Sequence, residues 1–149
     1  MISNAKLEFY NSFASYIHAL ECMLEGEQQK LDALYENNPE SMEKALSISQ
    51  ANAMNLENLE KKRIQLQREA DLEGLTFSEV IADADEEYSS ILNRQFERAK
   101  QLLKQIKYLN SRSMNISTTN LKLIGVPTEH ISSEDSLDVR LAKKGYTLH

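Results

Sequence analysis

Residues 72–81, LEGLTFSEVI, contain the clearest helix start in the chain, and reading them divides everything on either side. Thr76 and Glu79 stand three apart, as a capping box requires: the hydroxyl accepts from the N–H three residues on, and the carboxylate reaches back to the threonine N–H. Leu75 and Val80 occupy the flanking positions of a hydrophobic staple. A helix therefore starts at Phe77, just after the short link at Gly74. Downstream, Ile81, Ala84, Tyr88, Ile91, Leu102, Ile106, Leu109, Ile116 and Leu123 keep to one helical face, with Gln95 and Arg98 as polar interruptions. Neither Gly nor Pro intervenes until Gly125, so the pattern predicts one helix over 77–124. The acidic run Asp83, Asp85, Glu86 and Glu87 falls inside its first turns, where the helix dipole favours negative charge.

Upstream, Asn38 as N-cap and Pro39 at the first helical position start a second helix, predicted over 39–72. Its seam, with Met42, Ala45, Ser49, Asn52, Leu56, Leu59, Arg63, Leu66 and Ala70, is poor in large apolar groups in its first half, which predicts weak or wet packing there. The first helix, over 4–35, repeats Tyr10, Ile17, Leu24 and Leu31 every seven residues, with Phe13, Leu20, Glu27 and Leu34 interleaved. Phe9, Tyr16 and Met23 widen that stripe, so its N-terminal half should touch two helices. A link of about four residues makes the first two helices antiparallel neighbours. Gly26 falls off the seam and reads as a water-exposed turn of helix. Glu27 and Arg63 fall on it, and the hairpin could pair them to fix register.

Composition agrees with an all-α fold. The 149 residues include only four Gly and two Pro, aromatics are 7% and charged residues 27%, too few turn formers for a sheet protein. The architecture predicted is a long antiparallel helical hairpin plus a longer third helix, a three-helix, coiled-coil-like bundle. It forms a single domain over 1–125, with 126–149 as a flexible tail, mobile or ordered by a partner. The lone Cys22 allows no intrachain disulfide and suits the cytoplasm, where it serves as a small packing residue. No apolar run is long enough to insert stably in a membrane, and no signal-peptide core is present near Met1.

A helix over 77–124 is about 72 Å long, against about 50 Å for either hairpin helix. Roughly 20 Å must overhang unless the helix bends, and the overhang begins near Tyr108, where the sequence thins into Asn, Ser and Thr. The alternative is a helix that ends near Leu109 and continues as loop. Charge is segregated as well. Residues 1–43 carry a net charge of −6 and residues 93–122 a net charge of +6, which permits attraction along the bundle or to an acidic partner. The overall −6, and Tyr108 as the one aromatic on the basic face, argue against nucleic acid. Histidines are scattered, no Glu-x-x-His pair occurs, and phosphate-loop and nucleophile motifs are missing. The sequence thus predicts no metal, no cofactor and no enzyme activity.

Three segments carry a resemblance. The long first helix, LENLEKKRIQLQREADLEGLTFSEVI at 56–81, and LLKQIKYLNSRSMNISTTNLKLIG at 102–125 resemble, in this order, the FlgN family of flagellar type III export chaperones. The likeness spans most of residues 7–125. It is most specific at Leu59-Glu60-x-x-Arg63, at the Gly74 link to the capped helix, and at Leu109-Asn110. Ser113 stands where the family pattern usually has a second Asn. The resemblance implies a cytoplasmic protein that binds the C-terminal helical region of hook-associated (hook-filament junction) proteins. It would keep them unassembled and help deliver them to the flagellar export apparatus, without a nucleotide of its own. Carried over by position, the cargo-binding residues are Tyr108, Leu109, Asn110, Met114, Ile116, Asn120, Leu121, Leu123 and Ile124. In that reading a cargo helix lays its apolar stripe on the leucines, isoleucines and Met114, while Asn110, Asn115, Thr118 and Asn120 keep the free surface soluble. Two other readings compete: a self-associating coiled-coil protein that buries the overhang in a homo-oligomer, and an adaptor for another secretion client.

Overall fold

The computed structural model describes residues 2–123, with side chains as far as Thr118. Over that span the chain is all-helical, with four helices where the sequence predicts three: α1 (Asn4–Glu36), α2 (Pro39–Glu69), α3 (Phe77–Asp83) and α4 (Glu86–Leu123). Ile124 and the predicted tail, 126–149, lie outside the described residues.

The hairpin forms from local signals. Ser3 caps α1 by accepting from the Lys6 N–H at 3.2 Å. The helix ends at Asn37, whose N–H still bonds the Ala33 carbonyl but whose left-handed conformation (φ 54°) turns the following chain out of the helix. Asn38 then accepts from the N–H groups of Glu40 and Ser41 at 2.9 and 3.4 Å, and Pro39 begins α2. Asn37 and Asn38 alone make the reversal. This close register sets the Asn52 side chain on the Cys22 carbonyl (3.1 Å) and Ile48 beside Gly26.

That register corrects two expectations. Gly26 is buried, not exposed: a Cβ there would stand 2.7 Å from the Asn52 amide nitrogen. Glu27 and Arg63 do not pair, because Arg63 lies toward the other end of the hairpin. It is bonded to both carboxylate oxygens of Glu60 and donates to Gln67 at 2.7 Å, while its guanidinium stacks 5.2 Å from the centre of the Phe77 ring. Gln67 in turn donates to the carbonyls of Leu72 and Leu75 at 2.8 and 2.9 Å. These bonds hold the α2–α3 link, where Asp71 and Gly74 both take positive φ, and α2 stops at Glu69, short of the predicted Leu72.

The capping box at Thr76 is present: Glu79 N–H donates to the Thr76 hydroxyl at 3.2 Å, and Thr76 N–H to the Glu79 carboxylate at 3.5 Å. The helix it starts is short. Ala84 is extended (ψ 149°), and α4 begins anew with the Asp85 carbonyl accepting from Tyr88 and Ser89. No Gly or Pro causes this break. A continuous helix would set Asp83 three and four residues from Glu86 and Glu87, and like charges at those spacings repel. The break instead lets Asp83 meet Lys6 of α1 at 3.2 Å. Burial favours it too, since it folds Phe77 between Phe13 and Phe96, at ring-centre distances of 5.0 and 5.8 Å, and buries Val80 fully.

From this turn α4 runs parallel to α1. Tyr88 meets Tyr10, Arg98 approaches Glu21, and Arg112 reaches Tyr35. Helix α1 is the shared element, with α2 and α4 both packed on it. One apolar cluster joins Phe9, Tyr10 and Phe13 to Ala70, Leu72, Val80 and Leu92. A second joins Tyr16, Leu20 and Met23 to Leu56, Ala99, Leu102 and Ile106. The first half of α2 is thinly packed as predicted, with Ala45 its one buried residue before Leu56.

The overhang shrinks accordingly. Asn110 lies beside Glu27, so about 20 Å of α4 remains where α1 has about 14 Å left, an excess near one turn, not 20 Å beginning at Tyr108. Residues past Leu109 continue as helix through Leu123, which answers the alternative of a loop there.

Candidate partner-binding surface

The end of the molecule where α1 stops is built from a change of chemistry along α4. Its inward positions run Ala99, Leu102, Ile106 and then Asn110 and Ser113, all buried. Opposite them on α1 the seam likewise turns polar at Glu27, which is 3% exposed. Lys30 lies 2.9 Å from one Glu27 carboxylate oxygen and donates to the other at 3.2 Å, and the Asn110 amide donates to the carboxylate at 3.4 Å. A carboxylate taken out of water needs such partners, since desolvation alone would make it very costly. Among the described residues, the buried Ser113 hydroxyl has no hydrogen-bond partner.

Because polar groups take the inward positions, the apolar side chains of this part of α4 lie on its shoulders. Leu109, Met114 and Ile116 are half-buried. Tyr108 is 60% exposed, and Tyr35, on the last turn of α1, is 59% exposed. Arg112 joins them. It donates to the Tyr35 hydroxyl at 2.6 Å and to the Tyr108 hydroxyl at 3.2 Å, and its guanidinium lies 5.9 Å from the centre of the Tyr108 ring. The Tyr35 hydrogen bond, then that to Tyr108, raises the affinity of Arg112 for its proton above the ordinary arginine value.

The predicted site residues therefore divide. Tyr108, Leu109, Met114 and Ile116 reach the surface on one end of the molecule. Asn110 turns inward to Glu27, so it supports the surface from beneath and does not face solvent as the sequence reading had it. Asn120, Leu121 and Leu123 lie on α4 with side chains that are not described, and Ile124 lies outside the described residues. Sequence reasoning missed Tyr35 and the part played by Arg112. The two stand 77 positions apart, and only the parallel course of α1 and α4 brings them together.

Elsewhere, among the described residues, the larger concavities are open surface grooves, such as one of about 440 Å³ among Ala14, Ile17, Ile91, Arg94, Gln95 and Arg98. A cavity of about 10 Å³ among Phe13, Phe77, Leu92, Phe96 and Gln95 has room for about one water. Among the described residues no three His, Cys, Asp or Glu side chains group to hold a metal ion, and no helix is long and apolar enough to cross a membrane. Comparison with protein-family models, with curated proteins and with solved structures finds no match for this chain.

Proposed function

We propose that this protein is a non-catalytic export chaperone of the FlgN-like type, a cytoplasmic adaptor that holds the C-terminal helical region of a hook-associated protein and presents it to the flagellar export apparatus. The observation that carries the reading is the division of α4 beyond Ile106: polar groups turned inward, Leu109, Met114 and Ile116 left half-exposed, and two open tyrosines at the same end of the molecule. A helix that keeps its apolar groups on its shoulders offers an incoming amphipathic helix a surface to cover. The order of the sequence segments that resemble the family supports the same choice of partner. In this reading α1, α2 and the α3–α4 arm form a three-helix, coiled-coil-like scaffold, and cargo lies along the outer shoulder of α4. Met114 adapts to related cargoes, and the modest apolar area keeps binding reversible.

Titration of the full chain with the C-terminal segment of the hook-associated protein from the same genome tests this directly. Saturable binding that Leu109→Asp with Ile116→Asp abolishes, at unchanged helix content, supports the proposal. Absence of binding by the unsubstituted chain refutes it for that cargo.

A second reading, self-association, draws on a different face. Leu46, Met54 and Ile64 are exposed large apolar residues of α2, Met54 at 66%. A dimer in light scattering that Met54→Lys with Ile64→Lys dissociates, together with no cargo affinity, favours it.

A further inference from the structure

We propose that Arg112, held between Tyr35 and Tyr108, is a recognition point for a carboxylate on an acidic amphipathic helix of a partner protein. The inference rests on the reading of this end as a partner-binding surface and adds the chemistry of what binds. Lys6, Lys30, Arg63, Arg68, Arg98 and Lys100 each lie within ion-pair distance of a carboxylate. Arg112 differs: among the described residues its partners are two neutral phenol hydroxyls, in a chain with six more acids than bases. Those hydroxyls fix the guanidinium in orientation, and among the described residues no carboxylate stands within ion-pair distance of it. Of its five N–H donors two are engaged, and the planar fork can still present a pair of donors to a carboxylate. The ordering cost of the side chain is thus largely met before binding.

The surroundings select the class of partner. Lys104 is exposed one turn before Tyr108, and Leu109 and Ile116 flank Arg112 on α4. This combination of Tyr, Arg and aliphatic surface is the kind in which interface energy concentrates. It fits a helix with an apolar stripe edged by Glu or Asp. A polyanion such as an anionic membrane or a nucleic acid would also meet Asp32 and Glu36, exposed within a turn of Tyr35, and be repelled by them. A single carboxylate beside an apolar stripe avoids that repulsion.

The test uses the full chain and two synthetic helical peptides that share a Leu stripe, one edged with Glu and its twin with Lys. Isothermal titration and the Arg112 side-chain N–H resonance are read together. Saturable binding of the Glu peptide is expected, with movement of the Arg112, Tyr35 and Tyr108 signals and no comparable binding of the Lys twin. Arg112→Gln should weaken binding about tenfold or more, and Arg112→Lys should recover only part of it. Circular dichroism of both variants should match the parent, since Arg112 is exposed. Equal affinity of the Gln variant, equal binding of the twin, or binding of neither peptide overturns the inference. So does Arg112-dependent binding to phosphatidylserine vesicles. If the Glu peptide engages Arg112 but the hook-associated segment does not bind, the export-chaperone reading fails and this inference stands. If the segment binds irrespective of Arg112, the inference alone fails.

Discussion

Replacing Gly26 with Ala sets two effects of similar size against each other, and the structure decides between them. In an open helix the change gains about 1 kcal/mol, because Gly gives up more backbone freedom on folding than Ala does. Here the new methyl would stand 2.7 Å from the Asn52 amide nitrogen, closer than nonbonded atoms tolerate, whereas Ile48 at 3.7 Å is an ordinary contact. Asn52 must therefore swing away and lose its 3.1 Å bond to the Cys22 carbonyl. A lost bond of this kind removes about 1 kcal/mol and overpacking of a fitted site costs about 1–3 kcal/mol in all. The net expectation for Gly26→Ala is a loss of about 0–2 kcal/mol. In an Asn52→Ala background the obstruction is gone, and the same substitution should stabilise by about 1 kcal/mol. A double-mutant cycle by urea denaturation should thus give a coupling of about 1–3 kcal/mol, visible also as melting shifts of about 2–4 °C per kcal/mol. Additivity of the two substitutions within about 0.5 kcal/mol would show that the helices do not meet at this point, and would refute the close register of the hairpin.

Three further outcomes are expected. Lys30→Met, by leaving the buried Glu27 carboxylate with too few partners, should destabilise by a few kcal/mol, about 1–3 given the partial exposure of Lys30. Replacing Glu27, Lys30 and Asn110 together with apolar residues should be neutral or stabilising, and denaturation curves for both variants check the contrast. Thr76→Ala should cost about 1 kcal/mol through loss of the α3 cap, with hydrogen exchange increasing first over 76–83. Alkaline pH should weaken the N-terminal end. The bond to Asp83 raises the Lys6 pKa above 10.5 against the opposing effect of burial, and burial raises that of Tyr10 above 10.0. In both cases the unfolded chain loses its proton first, so stability present at neutral pH falls as pH rises through about 10 and beyond. Lys6→Met should reduce that fall modestly, since the pair with Asp83 is partly exposed, and an unchanged alkaline slope would count against the ion pair.

Several features were legible because their causes are local. A capping box at Thr76, an N-cap and proline at Asn38–Pro39, and a seven-residue apolar repeat in α1 act over a few residues, and each appears where the spacing predicts. The error in the third helix has a physical origin. Helix propensity and the lack of Gly or Pro favour continuity through Ala84, and they are outweighed by burial of Phe77 and Val80 against α1 and by repulsion among Asp83, Glu86 and Glu87. That error propagated, because a straight third helix placed the overhang too early. Asn110 was misread for a related reason. A polar residue late in a helix reads as solvent-facing until a buried carboxylate is known to lie opposite.

The sequence by itself determined the all-α class, the hairpin turn and the starts of α1, α2 and α3, since caps, turns and periodicity depend on neighbours within a turn or two. Only the tertiary structure decided that α3 folds back, that Gly26 admits Asn52, and that Tyr35 and Arg112 meet at one end of the molecule. These depend on the direction and register of helices relative to one another, where contacts between residues far apart in the chain outweigh local preference.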